Sequence, residues 1–126
     1  MSDKLDYSFM DNGILRVVWK NDMNREAVGA YIDLFARLME EASEQSSLRI
    51  LHDYRGVRTP PFNAMANGMK GLALRDDIFL RIAHLHNDST LPRIVKNATI
   101  VARFNVNREF FENDEEQAIE WLLQDE

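Results

Sequence analysis

The chain has 126 residues, of which 45% are hydrophobic and 29% are charged, and its formal net charge is −6. This length suits one domain over residues 1–126, the negative charge argues against nucleic acid as a partner, and the absence of cysteine excludes disulfides and thiolate metal sites. The first residues lack the pattern of a signal peptide and no apolar run is long enough to cross a membrane, so we expect a cytoplasmic protein without a transmembrane segment.

The chain opens with a predicted β-hairpin. Asn12-Gly13 lies between two strand-like runs, and both residues tolerate the positive φ that a tight hairpin turn requires. The strands, near Leu5–Met10 and Ile14–Lys20, should therefore pair antiparallel. Asn24 then provides a side-chain N-cap for a long amphipathic helix. The apolar positions of this helix are Val28, Tyr31, Ile32, Phe35, Leu38, Met39 and Ala42.

A third strand, Leu48–Asp53, leads into a polar loop. We expect Thr59 to cap a second helix, with Pro60 and Pro61 in its first turn, where the missing amide protons cost no helical hydrogen bond. Open α/β sheets bind their ligands outside the carboxyl ends of the strands. We therefore predict a partner- or ligand-binding surface in this loop and at the start of this helix. Its residues are Asp53, Tyr54, Arg55, Arg58, Thr59, Phe62 and Asn63.

The remaining elements alternate between strand and helix. A fourth strand is expected near Ile78–His86, followed by a helix that Ser89 or Thr90 caps and whose core face includes Val101 and Ala102. A fifth strand is expected near Arg108–Phe111, and the capping-box-like run Asn113–Glu116 begins the last helix. Strands separated by helices pair in parallel. The pattern predicts a single α/β domain with a mostly parallel sheet of four or five strands, an antiparallel N-terminal hairpin and about four helices. Its core should include Val17, Ile32, Phe35, Leu38, Ile50, Ile82, Val95, Ala98, Ile119 and Leu122.

Three histidines suggest a metal site at the strand ends. His84 and His86 are two apart on a strand and share a face, and His52 ends the neighbouring strand. With an oxygen ligand from Asp53 or Asp88, they could hold zinc with an open fourth position. The spacing alone is a weak motif, and histidines hydrogen-bonded to loops are the commoner arrangement. We therefore expect no metal and no other cofactor.

Catalytic motifs are absent from the sequence. It contains no nucleophile elbow, Walker loop or dinucleotide fingerprint, so we predict no enzymatic activity. Asp53 and Arg55 could bind an anion beside the second helix. We prefer the interpretation that Asp53 accepts hydrogen bonds from loop amides, because Asp side chains commonly organise turns in this way.

Four segments carry a family resemblance. They are GILRV at 13–17, LHDYRGV at 51–57, LRIA at 80–83 and FENDEEQAIEWL at 111–122. Taken with the element order, they resemble the SpoIIAA-like branch of the STAS family (sulphate transporter and anti-sigma factor antagonist domains). The resemblance implies a β/α superhelix and a non-catalytic regulatory module that binds a partner protein. In the anti-sigma antagonists a phosphorylated serine at the start of the helix after the third strand releases the partner. That position falls near Phe62 or Asn63, so the resemblance comes without the phosphoserine switch.

Three functions stay open from the sequence. The resemblance favours a regulatory protein-binding module, and the apolar face of the first strand adds the expectation of a homodimer. The alternative is a binding domain for an apolar or anionic small molecule, and the histidines alone suggest a metal-dependent enzyme. A buried cavity at Tyr54 would favour the small molecule, and a flat surface there the protein partner. The predicted pocket covers the ends of strands three and four and is lined by His52, Tyr54, Phe62, Met65 and His84.

Overall fold

The element order agrees with the pattern expected from the sequence. The computed structural model describes residues 5–20, 23–57, 61–72, 74–87, 89–104 and 106–124. The elements are β1 (Asp6–Phe9), β2 (Leu15–Val18), α1 (Arg25–Glu41), β3 (Ser47–Asp53), α2 (Phe62–Lys70), β4 (Phe79–His86), α3 (Thr90–Ala102), β5 (Asn107–Glu112) and α4 (Glu115–Leu122). No helix in these ranges is long and apolar enough to cross a membrane.

The sheet follows the order of the chain. β1 and β2 form the antiparallel hairpin, whose turn places Gly13 at φ 87° and lets the Asn12 side chain accept a hydrogen bond from the Ile14 amide at 3.1 Å. β2, β3, β4 and β5 then pair in parallel, giving the strand order β1-β2-β3-β4-β5. This confirms the predicted α/β domain with an antiparallel hairpin, parallel strands and four helices.

Alternation along the strands divides the core between the two faces of the sheet. Ile50 and Ile82 pack in the larger hydrophobic cluster, which also contains the buried residues of α1, α2 and α3. Leu51 and Leu85 point the other way and pack in a smaller cluster with the buried residues of α4. The period of two in a strand thus assigns three helices to one face and α4 to the opposite face.

Most of the predicted core is buried. Seven of the ten residues are buried, whereas Ile32, Leu38 and Ile119 are half-buried. The prediction that Val101 faces the core is wrong, because its side chain is 51% exposed. At 100° per residue, Val101 lies roughly 90° from the mean direction of the buried residues of α3, which places it on the flank of the helix.

Of the four predicted helix caps, two are confirmed by a side-chain hydrogen bond, Ser89 takes the N-cap position of α3 without such a bond, and the cap of α2 is wrong. The Asn24 side chain accepts from the Ala27 amide at 2.8 Å, and the Asp114 side chain accepts from the Gln117 amide at 3.0 Å. α2, in contrast, begins at Phe62 with Pro61 in the N-cap position and no side-chain cap. Since a residue before a proline disfavours the α region, two successive prolines delay the helix. Thr59 is therefore not the N-cap, and it lies outside the described residues together with Arg58.

Candidate functional site

The two buried histidines His52 and His84 lie side by side at the carboxyl ends of β3 and β4. They are partners in the strand register, and their rings stack with centroids 5.5 Å apart and planes inclined by 10°. Both side chains project towards α1, α2 and α3, since they follow Ile50 and Ile82 by two positions. They are 4% and 2% exposed. The surrounding polar and aromatic side chains complete what we call the histidine cluster: Trp19, Tyr31, His52, Tyr54, His84 and Arg108.

The hydrogen bonds of His52 determine its tautomer. The Trp19 indole Nε1–H donates to His52 Nδ1 at 2.9 Å, and an indole nitrogen can only donate. Neutral His52 therefore carries its proton on Nε2, from which it donates to the Tyr31 hydroxyl oxygen at 3.1 Å. Burial, with Arg108 nearby, lowers the pKa of His52 from 6.5 to about 3. His52 is consequently neutral at physiological pH, and its two hydrogen bonds connect Trp19 with Tyr31.

His84 is oriented by Arg108. Because a guanidinium group has only donors, the 3.2 Å contact runs from Arg108 Nη1–H to His84 Nε2. Neutral His84 then carries its proton on Nδ1, which is buried and has no hydrogen-bond partner in the described parts of the chain. Burial, followed by the charges of His52, Arg108 and His86, holds the pKa of His84 well below its ordinary value. The cluster thus contains a buried donor that is left unpaired, which is uncommon in folded proteins.

A cavity of about 50 Å³ adjoins the histidine cluster. All six cluster residues line it, together with apolar side chains from the loop before α1 and from α1, α2 and β4. Three methionines, Met23, Met65 and Met69, contribute to the apolar part. The predicted pocket at the ends of β3 and β4 is therefore present. Phe62 is not among its lining residues, because this first residue of α2 points outward and is 36% exposed.

The first two residues of the predicted binding surface lie inside the protein. Asp53 and Tyr54 are both buried, and Tyr54 stacks with His52 and His84 in the histidine cluster. Asp53 points to the opposite face of the sheet, as alternation along a strand requires. Arg55 is half-buried, and Asn63, like Phe62, is exposed at the start of α2. Among the described residues of the predicted set, only Arg55, Phe62 and Asn63 are accessible to a docking partner.

Asp53 organises its loop, as the preferred interpretation held. Its carboxylate accepts from the Arg55 amide and from the Arg55 guanidinium at 3.0 Å, and from Arg16 at 2.9 Å. Glu115, at the start of α4, pairs with the same two arginines. Burial alone would raise the pKa of Asp53, but the hydrogen bonds from Arg55 and the charges of Arg55 and Arg16 together lower this pKa. The two carboxylates balance the two guanidinium groups, so these residues form a structural ion-pair network and not an anion-binding site.

The histidines do not assemble a metal site in the part of the chain that the structure describes. No group of three or more His, Asp or Glu side chains in these ranges is placed to hold one ion. Both ring nitrogens of His52 and Nε2 of His84 are taken up by Trp19, Tyr31 and Arg108. Asp88, an expected oxygen ligand, lies outside the described residues. The metal-enzyme interpretation therefore has no ligand set in this structure.

Sequence reasoning missed three members of the histidine cluster. Trp19 directly follows β2 and lies beside His52. Tyr31 has the one hydroxyl on the buried stripe of α1, and Arg108 in β5 is opposite Ile82. Tyr31 carried a usable signal, since a buried tyrosine hydroxyl generally needs a partner. Comparison of the chain with protein-family models, curated proteins and solved structures finds no match.

Proposed function

We propose that this protein is a non-catalytic binding module for a small molecule, which occupies the cavity beside the histidine cluster. One observation carries the proposal: the carboxyl ends of β3 and β4 form a lined cavity at Tyr54 instead of a flat, loop-rich surface. In parallel sheets this end of the strands is where ligands bind. Mostly apolar walls with a few convergent polar groups are also the usual composition of a ligand site.

The size and lining of the cavity limit what it accepts. A volume of about 50 Å³ exceeds the need of one water molecule and suits a ligand of a few heavy atoms. The methionine side chains are flexible and adapt to irregular shapes, so rotations of Met23, Met65 and Met69 would enlarge the space. The resemblance to the SpoIIAA-like branch supports a regulatory role for such a domain. Capture of a protein partner through Asp53–Asn63 stays a prediction.

Fragment screening by NMR tests the proposal, with the Trp19 indole proton as reporter. This proton is hydrogen-bonded to His52 at the cavity, whereas the Trp121 indole belongs to α4 and serves as internal control. We expect small fragments to shift the Trp19 signal and to leave the Trp121 signal in place.

A matched pair of variants locates the binding. Val28→Phe places a ring in the cavity, and Val101→Phe makes the same change at an exposed position of α3. Binding should be lost in Val28→Phe and kept in Val101→Phe. The proposed function is wrong if no fragment of the library shifts the Trp19 signal. It is also wrong if Val28→Phe binds the fragments as well as the wild-type protein does.

A further inference from the structure

Several polar side chains that line the cavity have donors that are free to bind a ligand. Tyr31 accepts the proton of His52 Nε2, so its own hydroxyl hydrogen is left to donate. Tyr54 also lines the cavity with a hydroxyl that can donate, and His84 Nδ1–H is buried without a partner among the described residues. The free acceptor of each imidazole is already used by Trp19 or by Arg108. A ligand that pairs with these donors must bring acceptors.

Arg108 adds a positive charge that no carboxylate in the described ranges pairs with. It is half-buried, and it donates to His84 Nε2 at 3.2 Å and to the Phe104 carbonyl oxygen at 3.1 Å. Its guanidinium carbon lies 5.7 Å from the centre of the Phe104 ring. Among the residues that the structure describes, no carboxylate forms an ion pair with it. Two of its five N–H groups are thus used, and an unpaired charge that is partly removed from water is costly.

We propose that the ligand of this cavity is a small monovalent carboxylate, held by Arg108 and by the hydroxyl groups of Tyr31 and Tyr54, with its short apolar part against the methionines. The inference rests on the proposed function and adds the chemical class of the ligand. A carboxylate is planar and matches the fork of a guanidinium, and such charge-assisted hydrogen bonds are strong. An engineered cavity of about 150 Å³ accommodates benzene. A cavity of about 50 Å³ therefore favours a molecule of the size of acetate or propionate.

The test compares an acid with its amide on the unaltered protein. Propionate, propionamide and inorganic phosphate are titrated at constant ionic strength, with the Trp19 indole signal as readout. We expect propionate to bind at least about tenfold more tightly than propionamide, which has a similar shape but no charge. Phosphate should bind more weakly than propionate, because a single arginine balances it poorly and its tetrahedral shape is bulkier.

Variants assign the charge to Arg108. Arg108→Gln should lower the affinity for propionate at least about tenfold and leave the affinity for propionamide close to wild type. Arg93→Gln, which removes a charge from an exposed position of α3, should leave both affinities unchanged. If Arg108→Gln does not fold, the comparison of propionate with propionamide on the wild-type protein still tests the carboxylate assignment.

The outcomes separate this inference from the proposed function. Equal affinities for acid and amide, tighter binding of phosphate, or full propionate affinity in Arg108→Gln would overturn the carboxylate assignment. If neutral fragments shift the Trp19 signal and carboxylates do not, the assignment fails and the proposed function stands. If no probe shifts it, both fail.

Discussion

At the scale of single residues, the hydrogen bonds of His52 define the chemistry of the site. Trp19 uses the one acceptor of the ring, and Tyr31 takes up its one proton. A protonated His52 would have no acceptor for the new proton, because the Trp19 indole cannot accept. The buried ring is therefore locked as a neutral base, and this has a consequence for stability.

The stability of the protein should fall when the pH drops below about 6.5. The folded state holds the pKa of His52 at about 3, against an ordinary value of 6.5, so between these values the unfolded chain binds a proton that the folded chain does not. The stabilisation is complete above pH 6.5 and is lost as the pH falls towards 3. Each such histidine contributes roughly 1.4 kcal/mol per pH unit, and the lowered pKa of His84 acts in the same direction. Urea unfolding between about pH 4.5 and about pH 7 measures this slope.

A variant isolates the contribution of His52 to the pH dependence of stability. His52→Gln keeps an acceptor for the Trp19 indole but cannot titrate, so its stability should depend less steeply on pH, by about 1.4 kcal/mol per pH unit between pH 4.5 and 6. Asp53 does not add to this slope, because its pKa is lowered from 3.8 and its own effect on stability therefore falls at lower pH. The same slope in variant and wild type would contradict the assigned protonation of His52.

At the scale of elements, α2 contacts α1 closely where the chain has Gly68. A Cβ atom added to Gly68 would lie 2.7 Å from the Val28 Cγ1 atom, which is too close for carbon atoms. Gly68→Ala should therefore destabilise the protein by about 1–3 kcal/mol through overpacking, although alanine is the better helix former.

The matched control for Gly68 is another helical glycine. Gly29 in α1 has no atom within 4 Å of an added Cβ, so Gly29→Ala should raise stability by up to about 1 kcal/mol. Chemical unfolding of both variants measures the difference. If the two substitutions change stability in the same direction, the proposed close contact of α1 and α2 is wrong.

The elements were largely predictable from the sequence because their signals are local. Asn12-Gly13 marks the turn, and Asn24 and Asp114 cap helices within three residues of themselves. The site was predictable only in part. His52, Tyr54 and His84 were identified as strand-end residues, but their partners come from other elements. Trp19 is 33 residues from His52, and Arg108 is 24 residues from His84, so no short pattern connects them.

At the scale of the whole molecule, the two faces of the sheet have different tasks. The face covered by α4 holds the balanced charges of Asp53 and Glu115 with their two arginines, which join β2, β3 and α4. The face covered by α1, α2 and α3 holds the histidine cluster and the cavity. Structural charges and the candidate site are thus separated by the sheet.

The expected homodimer is a second question at this scale. Phe9 in β1 is exposed and Tyr7 is half-buried, whereas Leu5 is buried within the chain itself. The apolar surface of this strand is therefore smaller than the sequence alternation suggested. Association through β1 stays a prediction.

The central claim is that a small carboxylate lies inside the cavity, and intermolecular NOEs test it most directly. With propionate in excess, we predict NOEs from the propionate protons to the methyl groups of Met65 and Met69, which line the cavity. The same NOEs should be absent in Val28→Phe. NOEs only to exposed methyl groups, such as those of Ile100 on α3, would contradict the account, because they would place the carboxylate on the surface of the protein.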